Sequence, residues 1–249
     1  HVHFHFPDYD KDRREVLDRA RQSGVQTFIN VGTDVASSEK CLQLAREFDF
    51  IFATAGVHPH DAKDAGEETF REIEQLLKDP RMIAIGEVGL DFFRDHSPHD
   101  LQRKVLERFL DMQKRIQKPL IIHCRDAHEA LKQTLLETVP PPYEGVLHCY
   151  SSSREVMSDF LDLGFYISFA GPLTYKKNDV LRDACRACPS DRILFETDAP
   201  FLPPQTKRGQ RNESSYMLET LEMASDVRGV TSADLAEQST LNARRLFQI

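Results

Sequence analysis

A chain of 249 residues with net charge −8 and 40% hydrophobic residues is globular in composition and long enough to bury a substantial core. The acidic balance argues against a protein that coats nucleic acid by bulk electrostatics, and no stretch approaches the ~20 apolar residues of a membrane span. Five cysteines fit reduced thiols better than a disulfide framework, and HVHFHFPDYDKDR lacks the apolar core of a signal peptide, so a cytoplasmic location is expected.

The chain opens on HVHFH, where His1 and His3 stand two apart. In an extended segment they share a face and can grip one cation together. His5 is expected on a solvent-facing loop. Because the chain starts inside what reads as a strand-end motif, the first strand of the sheet is expected to lie outside it. Apolar β-type runs then follow at 26–31, 51–55, 82–86, 119–123, 145–148, 165–169 and 192–196, alternating with amphipathic helical patterns such as 97–117 and 127–138. VPPPY at 139–143 reads as a stiff loop, and 212–249 as closing helices. Strand and helix repeated in this way imply a parallel sheet covered by helices. The expected architecture is α/β, a (β/α)8 TIM barrel lacking its first strand, with residues 1–249 as one domain and the protein a monomer.

In such barrels the C-terminal ends of the strands carry the chemistry. Glu87, His123 and His148 each follow a short apolar run, and Asp198 comes just past one. Imidazoles and carboxylates gathered there would be costly to bury without a cation between them, which predicts a metal site. Glu87, flanked by Gly86 and Gly89, is expected to bridge two ions, with Asp91 as a supporting or helix-capping group. His123 and His148 are expected as neutral imidazole ligands. Asp198 is expected to bind metal and to take a proton from bound water, with Glu196 behind it. His58, in GVHPH, has no partner at ligand spacing and is assigned to orienting substrate or moving protons. Arg208 and Arg211, in RGQRNE, are candidates to clamp a phosphate; Arg125 and Tyr175-Lys176-Lys177 are candidates for a nucleic-acid backbone. Cys185 and Cys188 form a C-x-x-C pair with no second pair, and are read as structural.

HVHF, GVHPH, IGEVGLDFF, IIHCRDA, GVLHCYSSS, GFYISFAGPLTY, ILFETDAPFLPP, RGQRNE and NARRLF, in this order, resemble the TatD family of metal-dependent deoxyribonucleases in the amidohydrolase superfamily. The resemblance implies that His1 and His3 match the two histidines of an opening Asp-x-His-x-His motif, and that Glu87, His123, His148 and Asp198 are the remaining ligands. It further implies one or two divalent ions (Zn, Mg or Mn) and hydrolysis of phosphodiesters, often trimming DNA from the 3′ end; the sequence leaves DNA versus RNA as substrate open. On this basis His1, His3, Glu87 and Asp198 would hold one ion and Glu87, His123 and His148 the other, with a metal-bound hydroxide attacking phosphorus. His5, Lys207 and Ser214 depart from the family pattern, which bears on substrate preference. Two other functions fit the same residues: a metal hydrolase of esters, lactones or amides, and a DNA-binding protein without activity. The twin arginines of RGQRNE favour phosphate over the first, and the complete ligand set argues against the second.

Overall fold

The computed structural model describes residues 1–138 and 140–249. Val139, the first residue of VPPPY, lies outside the described residues. Among these the chain runs α1 (Arg13–Gln22), β1 (Phe28–Val31), α2 (Val35–Glu47), β2 (Ile51–Ala55), α3 (Glu67–Leu76), β3 (Met82–Asp91), α4 (His99–Ile116), β4 (Leu120–Arg125), α5 (His128–Thr138), β5 (Gly145–Leu147), α6 (Arg154–Asp162), β6 (Tyr166–Phe169), α7 (Asp179–Ala187), β7 (Ile193–Phe195), α8 (Met217–Arg228) and α9 (Ser232–Phe247). The alternation is the expected one, and the fold is α/β of the TIM-barrel class. The chain divides into two compact units, one of residues 29–147 and 163–165, the other of residues 1–28, 148–162 and 166–249.

In the first unit β2, β3, β4 and β5 pair in parallel in that order. All ten residues of β3 are buried, as a parallel strand covered on both faces requires. α4 turns Gln102, Val105, Leu106, Phe109 and Leu110 inward at helical spacing and leaves its charged residues outside. β3 is longer than the sequence pattern suggested: it continues through GEVGLD, with a register irregularity between Ile85 and Val88. Gly89 explains why the ladder can resume, since a Cβ there would lie 2.0 Å from the His123 carbonyl oxygen of β4. The glycines of this motif serve the close approach of two backbones, and Glu87 stands within a strand instead of at its end.

In the second unit β6 pairs in parallel with β7. The opening residues lie beside the segment that follows β7: Val2 bridges Ala199 in parallel, the His3 amide donates to Ala199 O at 2.8 Å, and the Asp198 amide donates to His1 O at 3.2 Å. α9 is tied to the same strand, the Asn242 side chain donating to Ile193 O at 2.9 Å and Ser190 O at 2.8 Å. His5, expected at the surface, is only 6% exposed. Its ring packs edge-on against the rings of Phe6 and His3, which cover it. Cys185 and Cys188 are free, buried thiols on and just after α7.

Candidate metal centres

The backbone pairing around Val2 brings three donor atoms together. His1 Nε2 lies 3.2 Å from His3 Nε2, His3 Nε2 lies 3.2 Å from Asp198 Oδ1, and His1 Nε2 lies 3.5 Å from Asp198 Oδ1. An ion held tetrahedrally by bonds of 2.0–2.1 Å separates its ligands by roughly 3.3 Å, so this triangle has the edges of one face of such a shell. Asp198 adopts a positive φ of 54°, which turns its carboxylate out of the extended path, and Asp is among the residues that tolerate that region.

His1 also stacks on His148, with ring centroids 4.2 Å apart. His148 Nδ1 in turn lies 3.1 Å from Glu196 Oε1, giving a second group of donors, His1, His148 and Glu196. Glu196 is 4% exposed. Burial pushes its carboxyl up, but the His148 imidazole beside it outweighs that and holds it below the usual range.

In the other unit His58, Glu87 and His123 gather around one point. Glu87 Oε1 lies 2.9 Å from His123 Nδ1 and 3.5 Å from His58 Nε2. Behind them, Asp91 Oδ2 lies 3.0 Å from His123 Nε2 and 2.9 Å from His60 Nε2, while Oδ1 accepts the amides of Phe93 and Arg94 at 3.0 and 2.9 Å. Burial would raise the Asp91 carboxyl, but the hydrogen bonds from His123, the Arg94 amide and His60 prevail and depress it. Gln102 of α4 completes the shell, accepting the Asp91 amide at 2.8 Å.

The expected ligands thus fall into groups partly different from those expected. His1, His3 and Asp198 converge as anticipated, and so do Glu87 and His123. His58, assigned no ligand partner in the sequence, is a third donor beside Glu87 and His123. His148 joins His1 and Glu196, and Glu196 faces His148 instead of standing behind Asp198. His60 escaped notice, although its place two residues after His58 in GVHPH put both on one short turn.

The arginines separate clearly. Arg211 makes a bidentate pair with Asp12, its NH1 and NH2 donating at 2.8 and 2.6 Å, reaches Asp8 O and lies 4.6 Å over the Tyr9 ring. Its fork is therefore committed to α1's entrance, not presented to a phosphate. The rest of RGQRNE is equally structural: Asn212 donates to Thr197 O at 2.8 Å and Phe201 O at 2.6 Å, and Glu213 accepts from Arg19 at 2.9 Å. Arg208 is exposed and lies 4.6 Å over Tyr175. Arg125 is exposed and lies 3.8 Å over Phe93.

Residues 1–248 match the model of the TatD-related DNase family. The chain is 38% identical over 249 residues to an uncharacterized metal-dependent hydrolase, YabD, of Bacillus subtilis strain 168, covering 100% of this chain and 98% of that one. It is 36% identical over 247 residues to the 3′-5′ ssDNA/RNA exonuclease TatD of Erwinia tasmaniensis, covering 97% and 95%. Among solved structures, YJJV, a TatD homologue from Escherichia coli K12, superposes with a TM-score of 0.94 at 29% identity, covering 100% of this chain and 96% of that one.

Proposed function

This chain belongs to the TatD-related DNase family and is a metal-dependent hydrolase, and from that premise we propose that it removes nucleotides from the 3′ end of single-stranded DNA. The observation that carries the reading is the triangle His1 Nε2, His3 Nε2 and Asp198 Oδ1, whose edges of 3.2, 3.2 and 3.5 Å suit the ligands of one divalent ion. His58, Glu87 and His123 would hold a second ion, and the mixed nitrogen and oxygen donors favour Zn²⁺ or Mn²⁺ over Mg²⁺. When bound, such ions supply a Lewis acid that activates water and offsets the charge of a phosphoryl group.

The protein's own groups do the rest. Asp198 directs Oδ1 at the two imidazoles, leaving Oδ2 to accept a proton from the attacking water. Glu196 fixes the tautomer of His148 by accepting from Nδ1, and Asp91 does the same for His123 at Nε2. His58, beside Glu87, is both a ligand candidate and an imidazole able to pass protons in that unit. Arg208, exposed and carried on Tyr175, would take a phosphate of the strand.

The names of the curated relatives support nucleic acid over esters or amides as substrate. The test is to strip metal with a chelator, restore Zn²⁺, Mn²⁺ or Mg²⁺ singly, and follow a labelled single-stranded oligonucleotide. A ladder shortening from the 3′ end, restored only by metal, is expected. Full activity in the chelated protein, or turnover of chromogenic esters with an intact oligonucleotide, would sink the reading.

A further inference from the structure

Phe93 is 51% exposed in the loop after β3, where only Phe92 and Pro98 are also apolar. Its neighbour Phe92 stacks on His99 at 3.8 Å, so the two rings have separate partners. Arg125 lies over the Phe93 ring with its guanidinium carbon 3.8 Å from the centroid, and Arg94 stands 5.4 Å from it. Both arginines are exposed, and among the described residues no carboxylate is paired with either. Nearby Asp95 is instead 3.5 Å from His99.

The place of this group is fixed by the His58, Glu87 and His123 group of its own unit. Asp91 is in register with Arg125, and the Phe92 amide donates to Arg125 O at 2.9 Å. Arg125 follows His123 by two residues on β4, so both side chains leave one face of the strand, about 7 Å apart along it. Arg94 is held by its amide on Asp91 Oδ1 at 2.9 Å, and the opposite oxygen of that carboxylate meets His123. A guanidinium held over an aromatic ring can keep N–H donors available and loses less freedom on binding an anion.

We propose that Phe93, Arg94 and Arg125 form a subsite for the backbone phosphate neighbouring the scissile one, in a strand whose bases are unpaired. Arg125 supplies the fork, Phe93 holds it and offers its remaining surface to an unstacked base, and Arg94 adds the second charge. An anionic protein needs such a local reader because its overall charge of −8 repels the strand. The proposal rests on the nuclease reading above and adds where the strand is gripped.

Binding of a 3′-fluorescein oligothymidylate to the metal-free protein, followed by anisotropy, tests it. Arg125→Ala and Phe93→Ala should each weaken binding about tenfold, and Arg125→Ala should make the salt dependence shallower by about 0.7 in log–log slope. Arg125→Lys should restore the slope but only part of the affinity, because an ammonium lacks the planar fork of a guanidinium. After metal is restored, the loss in kcat/KM on the oligonucleotide should exceed the loss on bis(p-nitrophenyl) phosphate about fivefold or more, a ratio a merely structural role would not produce. Unchanged affinity and slope in both alanine variants, or equal losses on the two substrates, overturns the subsite. Failure of the unsubstituted protein to bind or cut any oligonucleotide while it hydrolyses the small diester overturns the nuclease reading instead.

Discussion

Asp198 Oδ1 lies 3.2 Å from His3 Nε2 across 195 residues of sequence, and the contact is built by backbone: His3 donates its amide to Ala199 O at 2.8 Å. The side chains meet because their backbone segments pair at Val2 and Ala199, so the geometry survives the loss of charge on either partner. Asp198→Asn should therefore keep the fold, Asn being as tolerant of a positive φ as Asp. Metal-dependent cleavage should fall by about 10²–10⁴, since the variant can no longer accept a proton at Oδ2. Circular dichroism beside the 3′-end assay checks both halves; a folded variant with full activity contradicts the assignment.

Asp91 touches His123 and His60 with one oxygen and two amides with the other. Asp91→Asn leaves an acceptor for the amides but can turn an NH₂ toward His123 Nε2, where an N–H was pointing. The ring must then change tautomer or lose its support. Metal affinity in that unit should drop about 10–100-fold with little change in far-ultraviolet dichroism. Titration calorimetry with Zn²⁺ decides it, and an unaltered isotherm would show that the carboxylate merely closes a loop.

Much of this could be read in the sequence, for a physical reason. An apolar run ending in one polar residue is what a buried parallel strand with a functional end looks like, and Ile51–Ala55 coincides with its predicted strand while Glu87 and His123 meet as expected. What was hidden depended on partners distant in sequence. His58 has no ligand-like neighbour along the chain and acquires one only because Glu87 is 3.5 Å away in the fold. Arg211 looked like a phosphate clamp because an arginine in a glycine-containing loop carries the same pattern whether its partner is a ligand or, as here, Asp12 at 199 residues' separation. β3 read short because glycine weakens any strand pattern, although at Gly89 it is the residue the pairing demands.

That distinction between arginines is itself measurable. Arg211→Ala removes a half-exposed bidentate pair with Asp12 and the contact over Tyr9, and should cost about 0.5–1 kcal/mol in urea unfolding. Arg208→Ala, whose guanidinium rests on Tyr175 at the surface, should leave the urea midpoint in place and raise KM for the oligonucleotide several-fold. The reverse pattern would return Arg211 to the substrate.

Gly89→Ala should be severe. The added methyl would meet the His123 carbonyl at 2.0 Å, in a backbone with φ +147° that side chains rarely adopt. Either β3 and β4 separate, moving Glu87 from His123, or the chain fails to fold. A loss of about 3 kcal/mol or more is expected, beyond ordinary overpacking. A variant as stable as the parent would mean that the two strands are not held as close as the pairing of Gly89 with His123 requires.

The buried thiols should weaken the fold at alkaline pH. Burial pushes Cys185, on α7, and Cys188, just after it, up to about 12, from an ordinary value of 9.0. Each is protonated in the folded state and ionises more readily when unfolded, so the unfolded chain loses protons first as pH rises. The contribution is fully present below pH 9 and fades between about 9 and 12. At pH 10 each thiol should cost on the order of 1 kcal/mol relative to neutral pH. The Cys185→Ala/Cys188→Ala variant loses some packing at pH 7 but should show a flatter decline between pH 8 and 10.5 in urea midpoints. An identical decline in parent and variant would place the alkaline weakness elsewhere, with Cys124, likewise raised to about 12, the next residue to replace.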